Sequence, residues 1–269
     1  MMATMNADPL APKSPSEEVR YRRIGFRWGD KGTHTSRTIM HEELRALLSL
    51  CPQEATREDY LKAVLEDNCL GKRTAATRRL TFQRLSELYA LSPEVTLFRI
   101  MRQHWPADPD GQPLLALLLA LARDPLLRAT APSILSLRPG EELARPVMQE
   151  ALSSVVRGRL SDSTLAKVVR NAASSWTQSG HLSGRGRKIR QAVHPTPAST
   201  AYALLLGFLT GTRGEGLFQT PWARILDAPV VQLIDRAVDA RRLGFLDMSQ
   251  SGGVVEVSFG RLLAADEGR

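Results

Sequence analysis

Residues 161–193 read SDSTLAKVVRNAASSWTQSGHLSGRGRKIRQAV, and this stretch decides how the chain is interpreted. Its first half has apolar residues every three or four positions, a spacing that predicts an amphipathic helix. The apolar positions are Leu165, Val168, Val169, Ala172 and Trp176. Ser161 or Ser163 can cap the first backbone N–H groups, and Gly180 suits the position just past the last turn. The sequence therefore predicts a helix that ends before Gly180.

A basic, glycine-rich turn follows the predicted helix. Residues 183–188 read SGRGRK and have few apolar groups to bury, so this segment can approach the phosphates of a polyanion closely. Between residues 161 and 193 there are six Lys and Arg side chains against one acidic side chain. The order of helix, turn and short hairpin predicts the recognition helix and the wing of a winged helix-turn-helix. The predicted DNA contacts here are Lys167, Arg170, Arg185, Arg187, Lys188 and Arg190.

The chain as a whole is basic. Its 269 residues suffice for two modest domains, and 36 Lys and Arg against 28 Asp and Glu give a net charge of +8. That balance favours nucleic acid or another anionic surface as the partner. Arginine outnumbers lysine, and its planar guanidinium suits phosphates and guanine edges, although a GC-rich genome also raises the arginine content.

Cysteine usage and hydropathy predict a cytoplasmic protein without membrane contact. Cys51 and Cys69 adjoin apolar residues and form no CxxC pair, which favours reduced thiols over a zinc site. The first residues lack the apolar core of a secretory signal. The longest apolar run, PLLALLLALA at 113–122, is about half as long as a membrane span requires, so it predicts a buried helix.

Four regions are predicted along the chain. They are a disordered tail at 1–18, a basic and aromatic arm at 19–37, a helical bundle at 38–158 and a winged-helix-like C-terminal domain at 159–269. The arm has two interpretations. Tyr21, Phe26 and Trp28 could stack on bases while the arginines between them hold a backbone, or the aromatic side chains could be buried across the helices with the arginines in solvent.

Amphipathic periodicity predicts seven helical segments before residue 158, which indicates a bundle. They are 39–50, 56–66, 74–91, 93–105, 113–123, 126–137 and 141–157. Beyond the stiff connector at 194–197, predicted helices at 198–209, 216–227 and 230–242 precede a β-prone run at 254–259. These segments repeat the order of helices followed by a hairpin. The tip of this second hairpin is neutral, so it is a weaker candidate for DNA binding than the first. The predicted fold class is mainly α: an N-terminal helical bundle followed by winged helix-turn-helix-like elements with short β-hairpins.

A second basic cluster lies in the predicted bundle. No acidic residue stands between Cys69 and Ser86, and the predicted helix there opposes its cations to an apolar stripe. Such a face can lie along a phosphate backbone, or it can simply be solvated. The further DNA contacts predicted from this cluster are Lys72, Arg73, Arg78, Arg79 and Arg84.

Signs of catalysis and of bound cofactors are missing from the sequence. None of the five histidines has the i, i+4 spacing of a helical metal pair, and there is no Gly-x-Ser-x-Gly motif. The glycines at 211–216 follow a predicted helix and lack the Lys-Ser/Thr of a phosphate loop. We therefore predict no catalytic residues, no metal and no cofactor.

Short motifs carry a resemblance to a known family. Residues 66–70 read EDNCL; Arg73-Thr74, Thr77, Arg84-Leu85 and Leu88 follow, and Trp176 precedes Ser179-Gly180-His181-Leu182. In these motifs and their order, residues 38–245 resemble the BrxA family of bacterial BREX phage-defence systems. The resemblance implies a small, helical, non-enzymatic protein that binds double-stranded DNA. It also implies a methyltransferase, a phosphatase-like protein and a large ATPase as neighbours.

The function predicted from the sequence is therefore non-enzymatic binding of double-stranded DNA as an accessory of a BREX-like defence system. Two alternatives stay open. One is a protein-interaction or assembly module of the same system, whose basic faces meet acidic partners. The other is an RNA-binding helical bundle that uses Tyr21, Phe26 and Trp28 to stack on bases.

Overall fold

The computed structural model describes residues 11–251 and 254–267. Within them the chain is mainly helical with two short antiparallel hairpins, which confirms the predicted fold class. The helices are α1 (Pro15–Ile24), α2 (His41–Leu50), α3 (Arg57–Leu65), α4 (Ala75–Tyr89), α5 (Thr96–His104), α6 (Gln112–Arg123), α7 (Pro125–Ala129), α8 (Ala131–Leu135), α9 (Arg145–Val156), α10 (Asp162–Gln178), α11 (Pro197–Leu209), α12 (Pro221–Arg224), α13 (Val230–Arg242) and α14 (Gly260–Glu267). The strands are β1 (Leu182–Ser183), β2 (Ile189–Arg190), β3 (Asp247–Ser251) and β4 (Val254–Ser258).

Helix α6 forms the centre of the core. Every side chain from Leu114 to Arg123 is buried, because α2, α4, α5, α10 and α11 pack around this helix. The prediction of a buried helix at 113–122 is thus confirmed. No helix in the described part of the chain has both the length and the hydropathy needed to cross a bilayer.

The start of the chain differs from the predicted tail and arm. Helix α1 begins at Pro15, and Ser14 Oγ caps it by accepting the Glu17 N–H at 3.2 Å. The predicted disorder is therefore wrong for residues 15–18. Residues 1–10 of the predicted tail lie outside the described residues. The predicted arm begins within α1 and continues as a loop and a 3₁₀ turn at Thr33–Thr35.

The aromatic side chains of the arm point into the protein. Tyr21 and Phe26 are buried, and their ring centroids lie 5.5 and 5.4 Å from that of Trp28 and 5.9 Å from each other. The Phe26 ring also lies 5.9 Å from Trp222. Stacking on bases is therefore not available to Tyr21 or Phe26 in this conformation. The arm follows the second interpretation, in which its aromatic residues join the core.

Residues 125–190 have the element order of a winged helix. Helices α7 and α8 come first, an isolated bridge pairs Glu142 with Ile189, α9 and α10 follow, and the β1–β2 hairpin closes the unit. Helix α9 packs against α10, so the predicted division at residue 158 falls inside this unit. Residues 141–143 lie alongside β2 and are not helical, which corrects the predicted helix start at 141.

A second unit of similar order follows from α11 to β4. Helix α11 packs against α12 and α13, and the β3–β4 hairpin pairs Asp247 with Ser258 through Ser251 with Val254. Residues 252 and 253, at the predicted neutral tip, lie outside the described residues. A 3₁₀ segment at Gly214–Gln219 replaces the first part of the helix predicted at 216–227.

Candidate nucleic-acid interface

Helix α10 is the central element of the candidate interface. Ser161 Oγ caps it by accepting the Thr164 N–H at 3.3 Å, and Asp162 lies in the first turn, where the helix dipole favours a negative charge. The apolar positions predicted at 165–176 are all buried. Lys167 and Arg170 are exposed on the remaining surface, one turn apart. The sequence pattern therefore determined both faces of this helix.

The hairpin after α10 is held by pairs on both sides. Leu182 pairs with Arg190 and Ser183 with Ile189, while the Leu143 N–H donates to the Lys188 carbonyl at 2.8 Å. At the tip, Gly184 has φ +90°, and a Cβ atom there would overlap the carbonyl oxygen of Arg187. Only glycine accommodates this turn without strain. The hairpin thus projects a short, fixed tip beside α10.

A cleft of 560 Å³ separates α10 from the hairpin. We call it the wing cleft. Four cationic side chains line it: Arg145 from α9, Arg170 from α10, and Arg185 and Lys188 from the hairpin. Its single acidic lining residue is Glu142. A channel with this charge between a helix and a hairpin has room and electrostatic preference for an anionic ligand.

Glu142 does not cancel the charge of the wing cleft. Its carboxylate accepts hydrogen bonds from Arg187 Nε at 2.9 Å and Nη2 at 2.5 Å, and this pairing holds the pKa of Glu142 below its ordinary value. The Arg187 side chain remains 80 % exposed, and exposed ion pairs contribute little stability. Arg187 can therefore exchange Glu142 for a phosphate at small cost.

The other tip cations differ in availability. Arg185 is exposed and has no hydrogen-bond acceptor among the described residues. Lys188 donates from Nζ to Thr177 Oγ1 at 3.0 Å and to the Gly184 carbonyl at 2.6 Å, which ties the tip to α10. Arg145 was missed by sequence reasoning. Its signal was an arginine in the first helical turn, where a positive charge opposes the helix dipole.

Arg190 is a correction to the predicted contacts. Its side chain is 3 % exposed and its guanidinium donates to Asp227 Oδ1 at 2.5 Å and to the Ile134 carbonyl at 3.1 Å. It also donates to the Gln191 carbonyl. With its donors engaged inside the protein, Arg190 cannot reach a phosphate. It is a structural cation that joins the hairpin to the second winged-helix unit.

The second predicted cluster is largely engaged within the protein. Lys72 Nζ lies 3.1 Å from Glu43 Oε1, Arg78 Nη1 donates to the Leu65 carbonyl at 2.6 Å, and Arg84 Nη1 lies 2.7 Å from Glu87 Oε2. Arg73 and Arg79 are exposed without such partners in the described residues. None of the five lines the wing cleft. The structure does not bring this cluster and the hairpin into one site.

The second winged-helix unit has a different surface. In the position that α10 occupies in the first unit, α13 pairs Asp239 with Arg236 at 3.3 Å and with Arg242 at 3.0 Å. Its first turn exposes Val231, which is 71 % accessible. Two of the three arginines of α13 are thus paired with Asp239, whereas Lys167 and Arg170 of α10 have no acidic partner among the described residues.

A buried hydrogen-bond chain with triad-like order was not predicted from the sequence. His34 Nδ1 lies 2.8 Å from Asp124 Oδ2, and His34 Nε2 lies 2.7 Å from Ser175 Oγ. Burial by itself raises the pKa of Asp124, but the charge and hydrogen bonds of His34 and backbone N–H donors hold it below its ordinary value. His34 and Ser175 are 141 positions apart in the sequence, so no local sequence pattern could reveal their contact.

Burial keeps the His34, Asp124 and Ser175 side chains out of contact with solvent in this conformation. His34 and Ser175 are 0 % exposed and Asp124 is 1 % exposed. Ser175 Oγ donates to the Asn171 carbonyl at 2.9 Å and accepts the Ile39 N–H at 2.9 Å, so the hydroxyl is committed to the backbone. The hydrogen bonds among His34, Asp124 and Ser175 hold the arm and the start of α7 against α10.

The chain matches no protein-family model and no curated protein significantly. In the described ranges 11–251 and 254–267, no group of three or more His, Cys, Asp or Glu side chains is placed to hold a metal ion.

Proposed function

We propose that this protein binds double-stranded DNA without catalysis, with α10 in the major groove and the β1–β2 hairpin on the neighbouring backbone. The observation that carries the proposal is the convergence of Arg145, Arg170, Arg185 and Lys188 on the wing cleft. These side chains come from three elements, and only folding brings them together. Helix-turn-helix proteins place their second helix in the major groove in this way.

The charge distribution supports a polyanionic duplex as the ligand. Arg170 and Lys167 lie on the exposed face of α10, and Arg185 and Arg187 extend from the hairpin tip. The cations are therefore spread along a surface instead of meeting at one point, which suits successive phosphates of a backbone. Arg170 on α10 can also donate to guanine in the groove.

Two observations weigh against the RNA alternative. Single-stranded RNA recognition depends on aromatic side chains that are free to stack on bases. Tyr21 and Phe26 are 4 % and 1 % exposed, and Trp28 packs against both. Lys167 and Arg170 on α10, by contrast, are exposed.

The BrxA resemblance supports a role in a BREX-like phage-defence system. Under this proposal the methyltransferase, the phosphatase-like protein and the ATPase of such a system are candidate protein partners. We assign such contacts to the second winged-helix unit, where Val231 is exposed and Arg236 is paired with Asp239.

The test is fluorescence anisotropy with labelled duplex DNA, single-stranded DNA and RNA of equal length. We expect sub-micromolar binding of the duplex, and an affinity that falls steeply as salt is raised from about 50 to 200 mM. Tighter binding of RNA than of the DNA duplex would favour the alternative of an RNA-binding helical bundle. Binding to none of the three at moderate salt would overturn the proposal and favour an assembly module.

A further inference from the structure

A second basic cleft lies where α1 and the loop that follows it meet α4. It has a volume of 520 Å³ and is bounded by α1, the loop at residues 27–33 and α4. We call it the α1–α4 cleft. Its cationic lining residues are Arg22, Arg27, Lys31, Arg84 and Arg123. Glu87 is its only acidic lining residue, so the cleft carries a large excess of positive charge.

The single carboxylate that lines this cleft, that of Glu87, already accepts hydrogen bonds on both oxygens. Glu87 Oε2 accepts from Arg84 Nη1 at 2.7 Å and from Thr33 Oγ1 at 3.0 Å, and Gln83 Nε2 donates to Oε1 at 3.0 Å. Although burial alone raises the pKa of Glu87, these hydrogen bonds hold it below its ordinary value, so the group is ionised at neutral pH. Glu87 neutralises Arg84, and Arg22 pairs with Glu18 at 2.6 Å, which leaves Arg27, Lys31 and Arg123 without a counter-ion among the described residues.

Arg123 is the deepest of these uncompensated cations. Its side chain is 6 % exposed, and its guanidinium donates only to backbone carbonyls, to Gly25 at 2.6 Å and to Glu87 at 3.2 Å among them. Burial, together with the neighbouring charge of Arg27, lowers the pKa of Arg123 to about 9. A buried guanidinium without a carboxylate is costly, and an anion bound beside it would offset that cost.

Arg27 and Lys31 stand at the entrance of the same cleft. Both are exposed, and neither has a carboxylate within ion-pair distance in the described residues. The loop that carries them is fixed in place: Arg159 Nε lies 2.5 Å from Asp30 Oδ2, and a Cβ atom on Gly32 would overlap the Asp124 carboxylate. Arg27 and Lys31 are therefore carried by a loop that contacts Arg159 and Asp124.

We infer that the α1–α4 cleft is an anion-binding site for a phosphate-rich ligand, which Arg27 and Lys31 contact at the entrance and the buried positive charge of Arg123 favours from within. The chemistry that fits is a chain of phosphoryl groups, since guanidinium and ammonium groups both donate to phosphate oxygens. The volume lies within the range of about 300–1,000 Å³ that small-molecule sites occupy. The phosphoryl groups can belong to a free nucleotide or to a nucleic-acid backbone.

The site is distinct from the wing cleft. The arm packs on the face of α10 that carries Asn171 and Ser175, where Asn171 Nδ2 donates to the His34 carbonyl at 2.8 Å. The wing cleft uses Arg170, which is turned about 100° from Asn171 around the helix axis. The two basic clefts share no lining residue. The inference therefore does not depend on the proposed DNA contact of the hairpin.

The experiment is isothermal titration calorimetry of the full chain with inorganic tripolyphosphate and with ATP. The same preparations are then titrated with labelled duplex DNA by anisotropy. The test variant is Arg27→Ala/Lys31→Ala, whose exposed side chains can be removed without opening the core. Arg73→Ala/Arg79→Ala, which removes two exposed cations outside both clefts, is the matched control, and Arg170→Ala/Arg185→Ala is the control for the wing cleft.

We expect Arg27→Ala/Lys31→Ala to weaken tripolyphosphate binding by about tenfold or more, and both controls to stay within about twofold. Tighter binding of ATP than of tripolyphosphate would identify a free nucleotide as the ligand. If neither small ligand binds but the duplex affinity of the test variant falls about tenfold, the ligand is a nucleic-acid backbone. Polyphosphate binding that the test variant leaves unchanged, or no effect on any ligand, would overturn the inference.

Discussion

Arg190 Nη2 lies 2.5 Å from Asp227 Oδ1, and this ion pair ties the basic hairpin to the loop between α12 and α13. Asp227 also accepts the Val193 N–H on Oδ2 at 3.3 Å, so one carboxylate holds both the end of the hairpin and the chain that leaves it. The side chains are 3 % and 15 % exposed. The two winged-helix units are thus joined by a largely buried charge pair.

Replacing Arg190 with alanine should destabilise the protein. Removing one partner leaves Asp227 buried without its counter-ion and the Ile134 carbonyl without a donor, a loss of about 3–5 kcal/mol in the free energy of unfolding. Urea denaturation followed by circular dichroism measures it. Arg185→Ala, an exposed arginine of the same hairpin, is the control and should change stability by less than about 0.5 kcal/mol. Equal stability of the two variants would show that Arg190 is not a structural cation.

Loss of the wing-cleft cations should reduce DNA affinity and its dependence on salt. Each phosphate contact contributes about 0.9 to the slope of log affinity against log salt, so Arg170→Ala/Arg185→Ala should flatten the slope by about 1.8. Anisotropy titrations at several salt concentrations give this slope. Arg73→Ala/Arg79→Ala removes two exposed cations that lie outside the wing cleft and serves as the control. An unchanged slope in the first variant would exclude the wing cleft as the DNA contact.

The two glycines of the hairpin tip should respond differently to substitution. Gly184→Ala places a side chain at φ +90° against the Arg187 carbonyl, so we expect a loss of about 1–2 kcal/mol in the free energy of unfolding and weaker duplex binding. Gly186→Ala meets no atom within 4 Å and should behave like the wild type. Thermal denaturation and anisotropy on the pair compare them directly. Matching behaviour of both variants would contradict the described turn.

Two buried histidines should make the protein sensitive to mild acid. Burial lowers the pKa of His104 to about 3 and that of His181 to about 4, whereas in the unfolded chain both have a pKa near 6.5. Below pH 6.5 the unfolded chain takes up protons that the folded protein does not. The stability is therefore complete above pH 6.5, and each histidine removes up to about 1.4 kcal/mol per pH unit as the pH falls towards 4.

The measurement is urea denaturation of the wild type and of His104→Leu between pH 7 and pH 4.5. His104 has no hydrogen-bond partner on either ring nitrogen in the described structure, so leucine should be tolerated and the variant should lose less stability in acid. Exposed His194→Gln is the control and should follow the wild type. Parallel curves for wild type and His104→Leu would mean that His104 is not held neutral.

Much of the fold follows from local sequence. The stripe from Leu165 to Trp176 and the Ser161 cap determined α10, and the run at 113–122 determined α6. These features need only the 3.6-residue period and hydrogen bonds between near neighbours in the chain, so they can be read before the tertiary structure is known. The basic tip of the hairpin was predicted from a different local feature, the glycine-rich basic run at residues 183–188.

The tertiary structure alone decided which charged side chains are available to a ligand. Arg185 and Arg190 lie five positions apart in one basic run, yet Arg185 reaches solvent and Arg190 is enclosed by Asp227 and backbone carbonyls. Arg145 joins the wing cleft, and His34 meets Ser175 across 141 positions, because α9 and the arm pack against α10. The sequence determined where cations occur and which faces are apolar. Their availability depends on the carboxylates and carbonyls that folding places opposite them, since a buried charge must find such a partner and an exposed one need not.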